Sequence, residues 1–121
     1  MEELVNYFND VEDNSVVIGF QNYFLVTFSN RRIIDLSMPW GYYNLAEALH
    51  ETKLNNLVLT LKSRNVAYTI EPTNNKTGGY KIFNEYRKRF PVFDNLFKSK
   101  YLILLKTLPD YNIYKLTTEE E

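Results

Sequence analysis

Residues 44–83, NLAEALHETKLNNLVLTLKSRNVAYTIEPTNNKTGGYKIF, decide how this chain is read, because helical and extended periods succeed one another inside them. Asn44 followed by Glu47 has capping-box spacing and predicts a short helix to about His50. From 53 to 64, Leu54, Leu57, Val58 and Leu61 recur at i, i+3, i+4 and i+7, which predicts a second amphipathic helix. Its other face carries Lys53, Asn56, Thr60 and Arg64. Asn65 suits a left-handed helix stop. Beyond it Val66, Tyr68 and Ile70 alternate with Ala67, Thr69 and Glu71, the period of a strand. The loop PTNNKTGG and a short strand at 80–83 then complete a predicted hairpin.

Two short helices followed by a hairpin with a polar, basic tip resemble the winged-helix DNA-binding domains. The resemblance rests on LAEAL and LTLKSRNVAYTI and covers about a third of the chain. It implies that Lys53, Asn56, Thr60 and Arg64 form the groove-facing side of a recognition helix, with Lys76 at the wing tip. The residues are equally those of two amphipathic helices and a hairpin packed on a sheet.

Outward from this stretch, 2–11 read as a helix with Leu4, Phe8 and Val11 along one side. Three strands are predicted at 15–20, 23–29 and 32–36, joined by the tight links Gln21-Asn22 and Asn30-Arg31 into an antiparallel meander. Met38-Pro39-Trp40-Gly41 reads as the turn out of that sheet, with Trp40, Tyr42 and Tyr43 either packed on the core or presented to a partner. Residues 84–90 read as a short helix carrying Arg87, Lys88 and Arg89, and Pro91 opens another to about Ser99. The apolar run 101–106 reads as a buried strand, 111–117 as the last strand, and 119–121 as a frayed tail. The expected fold is one α+β domain over 1–121: an antiparallel sheet, built of the N-terminal meander and later hairpins, packed with short helices and a winged-helix-like segment.

Composition excludes several classes. Ten Tyr, eight Phe and one Trp rule out a disordered chain. With no cysteine there is neither a disulfide framework nor a thiolate metal site. No apolar run reaches a membrane span and MEELVNYF is no signal peptide, so a soluble cytoplasmic protein is expected. Fourteen asparagines against three alanines is the usage of an AT-rich coding sequence, which points to a low-GC bacterium, an archaeon or one of their viruses. Charge is lopsided: Lys53 to Lys106 holds eleven bases and three acids, while the remainder holds three bases and twelve acids. Such a basic region with interleaved aromatics suits phosphates and bases, unless acidic segments fold against it.

Material for catalysis is thin. His50 is the sole histidine, and Glu47 with His50 supplies only half of a carboxylate di-metal site. Gly78-Gly79 lacks the lysine and helix context of a phosphate loop. Asp35 with Glu51-Thr52-Lys53 has the loose spacing of some Mg²⁺-dependent nucleases, although the E-x-K lies at a helix junction and not on a strand. The expected function is therefore non-catalytic and cofactor-free binding of nucleic acid, DNA foremost, through Lys53, Asn56, Thr60, Arg64, Lys76, Arg87, Lys88 and Arg89. The alternative is a protein-interaction module, such as a viral or mobile-element accessory protein docking on a host protein. Oligomeric state is not legible.

Overall fold

A computed structural model describes residues 2–117, so the expected frayed tail at 119–121 lies outside the described residues. In chain order it contains α1 (Glu2–Asn9), β1 (Val16–Gly19), α2 (Phe24–Phe28), β2 (Arg32–Asp35), α3 (Pro39–Leu49), α4 (Leu54–Ser63), β3 (Val66–Pro72), α5 (Tyr80–Arg89), α6 (Pro91–Phe97), β4 (Leu102–Thr107) and β5 (Tyr111–Leu116). The strands form one sheet in the order β2-β1-β3-β5-β4. Strand β1 runs parallel to both β2 and β3, whereas β5 is antiparallel to β3 and β4.

This mixed sheet overturns the expected antiparallel meander. Residues 23–29 are not a strand: 24–28 form α2, the crossover that parallel neighbours require and that a hairpin link cannot supply. The run FLVTF reads as β by propensity, yet α2 buries only Leu25 fully and leaves Phe28 exposed, so tertiary placement overrides local preference. The expected tight links at Gln21 and Asn30 are single left-handed residues, φ 60° and 49°, at the ends of β1 and α2.

The winged-helix-like segment is corrected as well. Residues 80–83 are the first turn of α5 and not the second arm of a wing, and β3 pairs with β1 and β5. A helical period was present, because Ile82, Phe83, Tyr86 and Phe90 continue i, i+1, i+4, i+8 past the point where a strand was read. Helix α3 starts at Pro39, five residues before the expected cap, and Asn44 sits mid-helix donating to the Trp40 carbonyl at 3.0 Å. Proline at the first helical position is well placed because its missing N–H is an orphan there anyway. Helix α4 and β3 fall where periodicity put them, with Asn65 left-handed between them at φ 61°.

Two apolar clusters sit on opposite faces. Leu4, Phe8 and Leu25 from α1 and α2 pack on Val17, Ile33, Tyr68, Ile70 and Ile113. The other face, Val16, Ile18, Ile34, Val66 and Leu116, meets Leu45 and Leu49 of α3, Leu57 and Leu61 of α4, Phe83 of α5 and Leu96 of α6. Alternate strand residues face alternately. A bulge at Ala67 puts Val66 and Tyr68, two apart in sequence, on different faces. Several rings of the second layer meet edge to face, among them Phe20 on Phe83 at 5.1 Å and Phe83 on Phe97 at 5.1 Å.

Candidate functional site

The expected basic surface is dispersed. Lys53 is the exposed residue preceding α4, Asn56 donates to Glu51 at 3.3 Å, and Arg64 donates Nε and Nη2 to the Asn44 carbonyl at 3.2 and 3.0 Å. Asn56, Thr60 and Arg64 do share a groove of about 420 Å³ between α3 and α4, but Glu47 and Glu51 line it too. Lys76 lies in the loop 73–79 beyond one end of β3, while Arg64 lies beyond the other. At about 3.3 Å per residue the seven-residue strand holds them roughly 20 Å apart.

The Arg87-Lys88-Arg89 triplet is split by the turn of its helix. Arg87 pairs with Asp94 at 2.6 Å and lies 5.9 Å over the rings of both Phe83 and Phe97. Its partners Lys98 and Arg87 hold the Asp94 carboxyl below the usual aspartate range. Lys88 is exposed. Arg89 lies over Phe90 and lines, with His50, Glu51 and Thr52, a shallow groove of about 230 Å³.

The catalytic candidates are occupied structurally. Buried Asp35 accepts the N–H groups of Gln21, Asn22 and Ser37, each at 3.0 Å, and so fastens the loop after β1 to the end of β2. His50 Nε2 meets the Tyr42 hydroxyl at 3.0 Å, its ring edge-on to Phe90. Among the described residues no three His, Cys, Asp or Glu side chains cluster as metal ligands. In open α/β sheets a ligand crevice forms where strand order reverses, here at the carboxyl ends of β1 and β3. Loop 73–79 fills that position: a Cβ on Gly79 would run into the Phe20 carbonyl oxygen, and one on Gly78 into the Gln21 side chain.

Sequence reasoning missed the feature that stands out most. Strand β4, expected to be buried, lies at the open edge of the sheet, and Ile103, Leu104 and Leu105 are 51, 51 and 44% exposed. Ile103 pairs with Lys115, which pairs with Tyr68, so it belongs to the α1/α2 face; Leu104 pairs with Tyr114 and belongs to the other. Neither helical layer reaches over the strand. Only Leu102 is covered. The apolar run signalled a strand, but nothing local to it signalled the missing cover. At the opposite edge, Tyr23 and Trp40 meet edge to face at 6.0 Å on one side of a polar cleft of about 710 Å³ along β2. There buried Arg31 is taken up by the Asp13 and Ser15 carbonyls at 2.7 and 3.0 Å. Trp40 and Tyr43, which could have been core or surface, are exposed.

No protein-family model matches the chain, and no curated protein matches it. Among solved structures, the C-terminal globular domain of an oligosaccharyltransferase from Archaeoglobus fulgidus matches with a TM-score of 0.64 over 96% of this chain and 95% of that one, at 12% identity. At that identity the likeness concerns the fold, a mixed α/β sheet. Among the described residues no helix is long and apolar enough to cross a membrane.

Proposed function

We propose that this protein is a non-catalytic interaction module that docks a strand of another protein on the open edge of β4. The observation that supports this reading is the half-exposure of three consecutive large apolar residues on an edge strand, a surface that monomeric proteins normally cover or charge. An added strand would pair with the outward main chain of β4 and set its alternate side chains beside Ile103 on one face and Leu104 on the other, the β-augmentation mode of recognition. The test is a photo-reactive residue at Leu104, with Tyr43 as the exposed control site. One discrete partner should cross-link from position 104 and be lost when Ile103 and Leu105 are both changed to Thr. A complex indifferent to that change would count against the reading.

Nucleic-acid binding is the second reading. It draws on Lys53, Lys88 and Arg89, exposed cations with no ion pair among the described residues, of which Arg89 lines a groove at the α3–α4 turn. Anisotropy of a labelled DNA duplex at low salt, wild type against Lys53→Ala/Lys88→Ala/Arg89→Ala, tests it: binding should be lost in the variant and fall steeply with salt.

A further inference from the structure

We propose that the strand received by β4 alternates apolar residues with carboxylates and comes from a different protein, not from a second copy of this chain; the inference rests on the docking reading above. The main chain supplies the first part. The Tyr101 carbonyl accepts the Thr117 N–H at 2.7 Å across the β4–β5 pair. Antiparallel ladders alternate, so Leu102 and Leu104 turn their N–H and C=O groups to the open side.

Charge supplies the second part. Lys100, Lys106 and Lys115 are exposed around the apolar residues and have no ion pair among the described residues. Neither β4 nor β5 contains an acid, and Asp110 in the turn between them accepts the Asn74 amide at 2.7 Å. Lys106 and Lys115 share the Ile103 face, so an incoming strand with its carboxylates on that face and its apolar residues on the Leu104 face would meet Lys106 as a cross-strand pair, with Lys115 one strand further in.

A second copy fits badly. Antiparallel pairing of two β4 strands about Leu104 would bring Lys100 and Lys106 of each copy, four lysines, along one seam to which β4 itself contributes no carboxylate. Leu105 is also the extra residue of a bulge, since Leu104 pairs with Tyr114 and Lys106 with Ile113. Lysines and bulges are how edge strands refuse their own kind. Area agrees: the three side chains offer roughly 300 Å² per copy, against about 800 Å² per partner in stable interfaces. A heterologous strand offsets that shortfall with ladder hydrogen bonds and ion pairs.

The experiment titrates the full chain with three blocked ten-residue peptides, alternating Val/Glu, Val/Thr and Val/Lys. Amide exchange at Leu102 and Leu104 is followed by NMR, and affinity by anisotropy. The Val/Glu peptide should slow both amides and bind about tenfold tighter than Val/Thr, with Val/Lys weakest. Lys100→Glu/Lys106→Glu/Lys115→Glu should invert that order. Equal binding of Val/Glu and Val/Thr overturns the charge inference while leaving edge docking intact. Failure of every peptide to protect Leu102 and Leu104 overturns docking itself. Protection that grows with protein concentration alone, together with a dimer in sedimentation, makes a second copy the occupant and overturns the proposal.

Discussion

Replacing Asp35 by Asn tests whether this carboxylate is a fastener or a catalytic group. Oδ1 accepts the Gln21 and Ser37 N–H groups and the Ser37 hydroxyl, and Oδ2 accepts the Asn22 N–H at 3.0 Å, all at a residue 1% exposed. An asparagine that keeps its oxygen at the Oδ1 position aims its own N–H₂ at the Asn22 donor. The opposite rotamer faces three donors and is worse. One charge-assisted bond is lost, about 1.5–3 kcal/mol, and one buried N–H is left unpaired, about 1–3 kcal/mol, so roughly 3–5 kcal/mol in all. For a chain of this size that corresponds to a fall in Tm on the order of 10–20 °C. Urea unfolding with linear extrapolation, followed by circular dichroism, measures it. A carboxylate held in place for chemistry would leave stability unchanged or raised when neutralised. A loss under about 1 kcal/mol would therefore refute the fastening role.

Thr69→Val should stabilise the fold by about 1 kcal/mol. The Thr69 hydroxyl is buried without a hydrogen-bond partner among the described residues, against a void of about 10 Å³ lined by Ile18, Leu45, Leu57 and Leu96; an unchanged or lower urea midpoint would show that the hydroxyl is satisfied. Burial pushes the Tyr86 and Tyr114 phenols up to about 12, with the Glu71 carboxylate adding to the effect at Tyr114. The folded state thus holds protons that the unfolded chain releases near pH 10, so the contribution of these two phenols to stability should be level below pH 10 and be lost as pH rises to 12. Phenolate absorbance should show late-ionising tyrosines, and Tyr86→Phe with Tyr114→Phe should flatten the alkaline limb of unfolding curves. Leu96→Ala, in the core, should cost about 2–5 kcal/mol, whereas Leu104→Ala should cost less than about 1 kcal/mol. Equal losses by urea denaturation would mean that β4 is covered after all.

How far the fold could be read depended on how local each signal was. Helix α4 announced itself because Leu54, Leu57, Val58 and Leu61 carry their own period, and Asn65 marked its end because few other residues tolerate a positive φ. Residues 24–28 misled because FLVTF is apolar at every position but Thr27, and so short a run has no period to separate helix from strand. The candidate site suffered more. The cations of 53–106 are dense in the text, but the length of β3 and the turn of α5 distribute them, and Asp94 takes Arg87 from another helix.

By itself the sequence determined where most of the helices and the later strands lie, that no cysteine chemistry operates, and that the chain carries enough aromatic surface for a real core. Only the tertiary structure decided that β1 and β2 are parallel, that the basic residues diverge, and that Ile103, Leu104 and Leu105 stand uncovered. The reason is physical: periodicity is a property of a few consecutive residues, whereas strand direction and burial depend on which distant segments arrive to cover them, and among the described residues no segment arrives over β4.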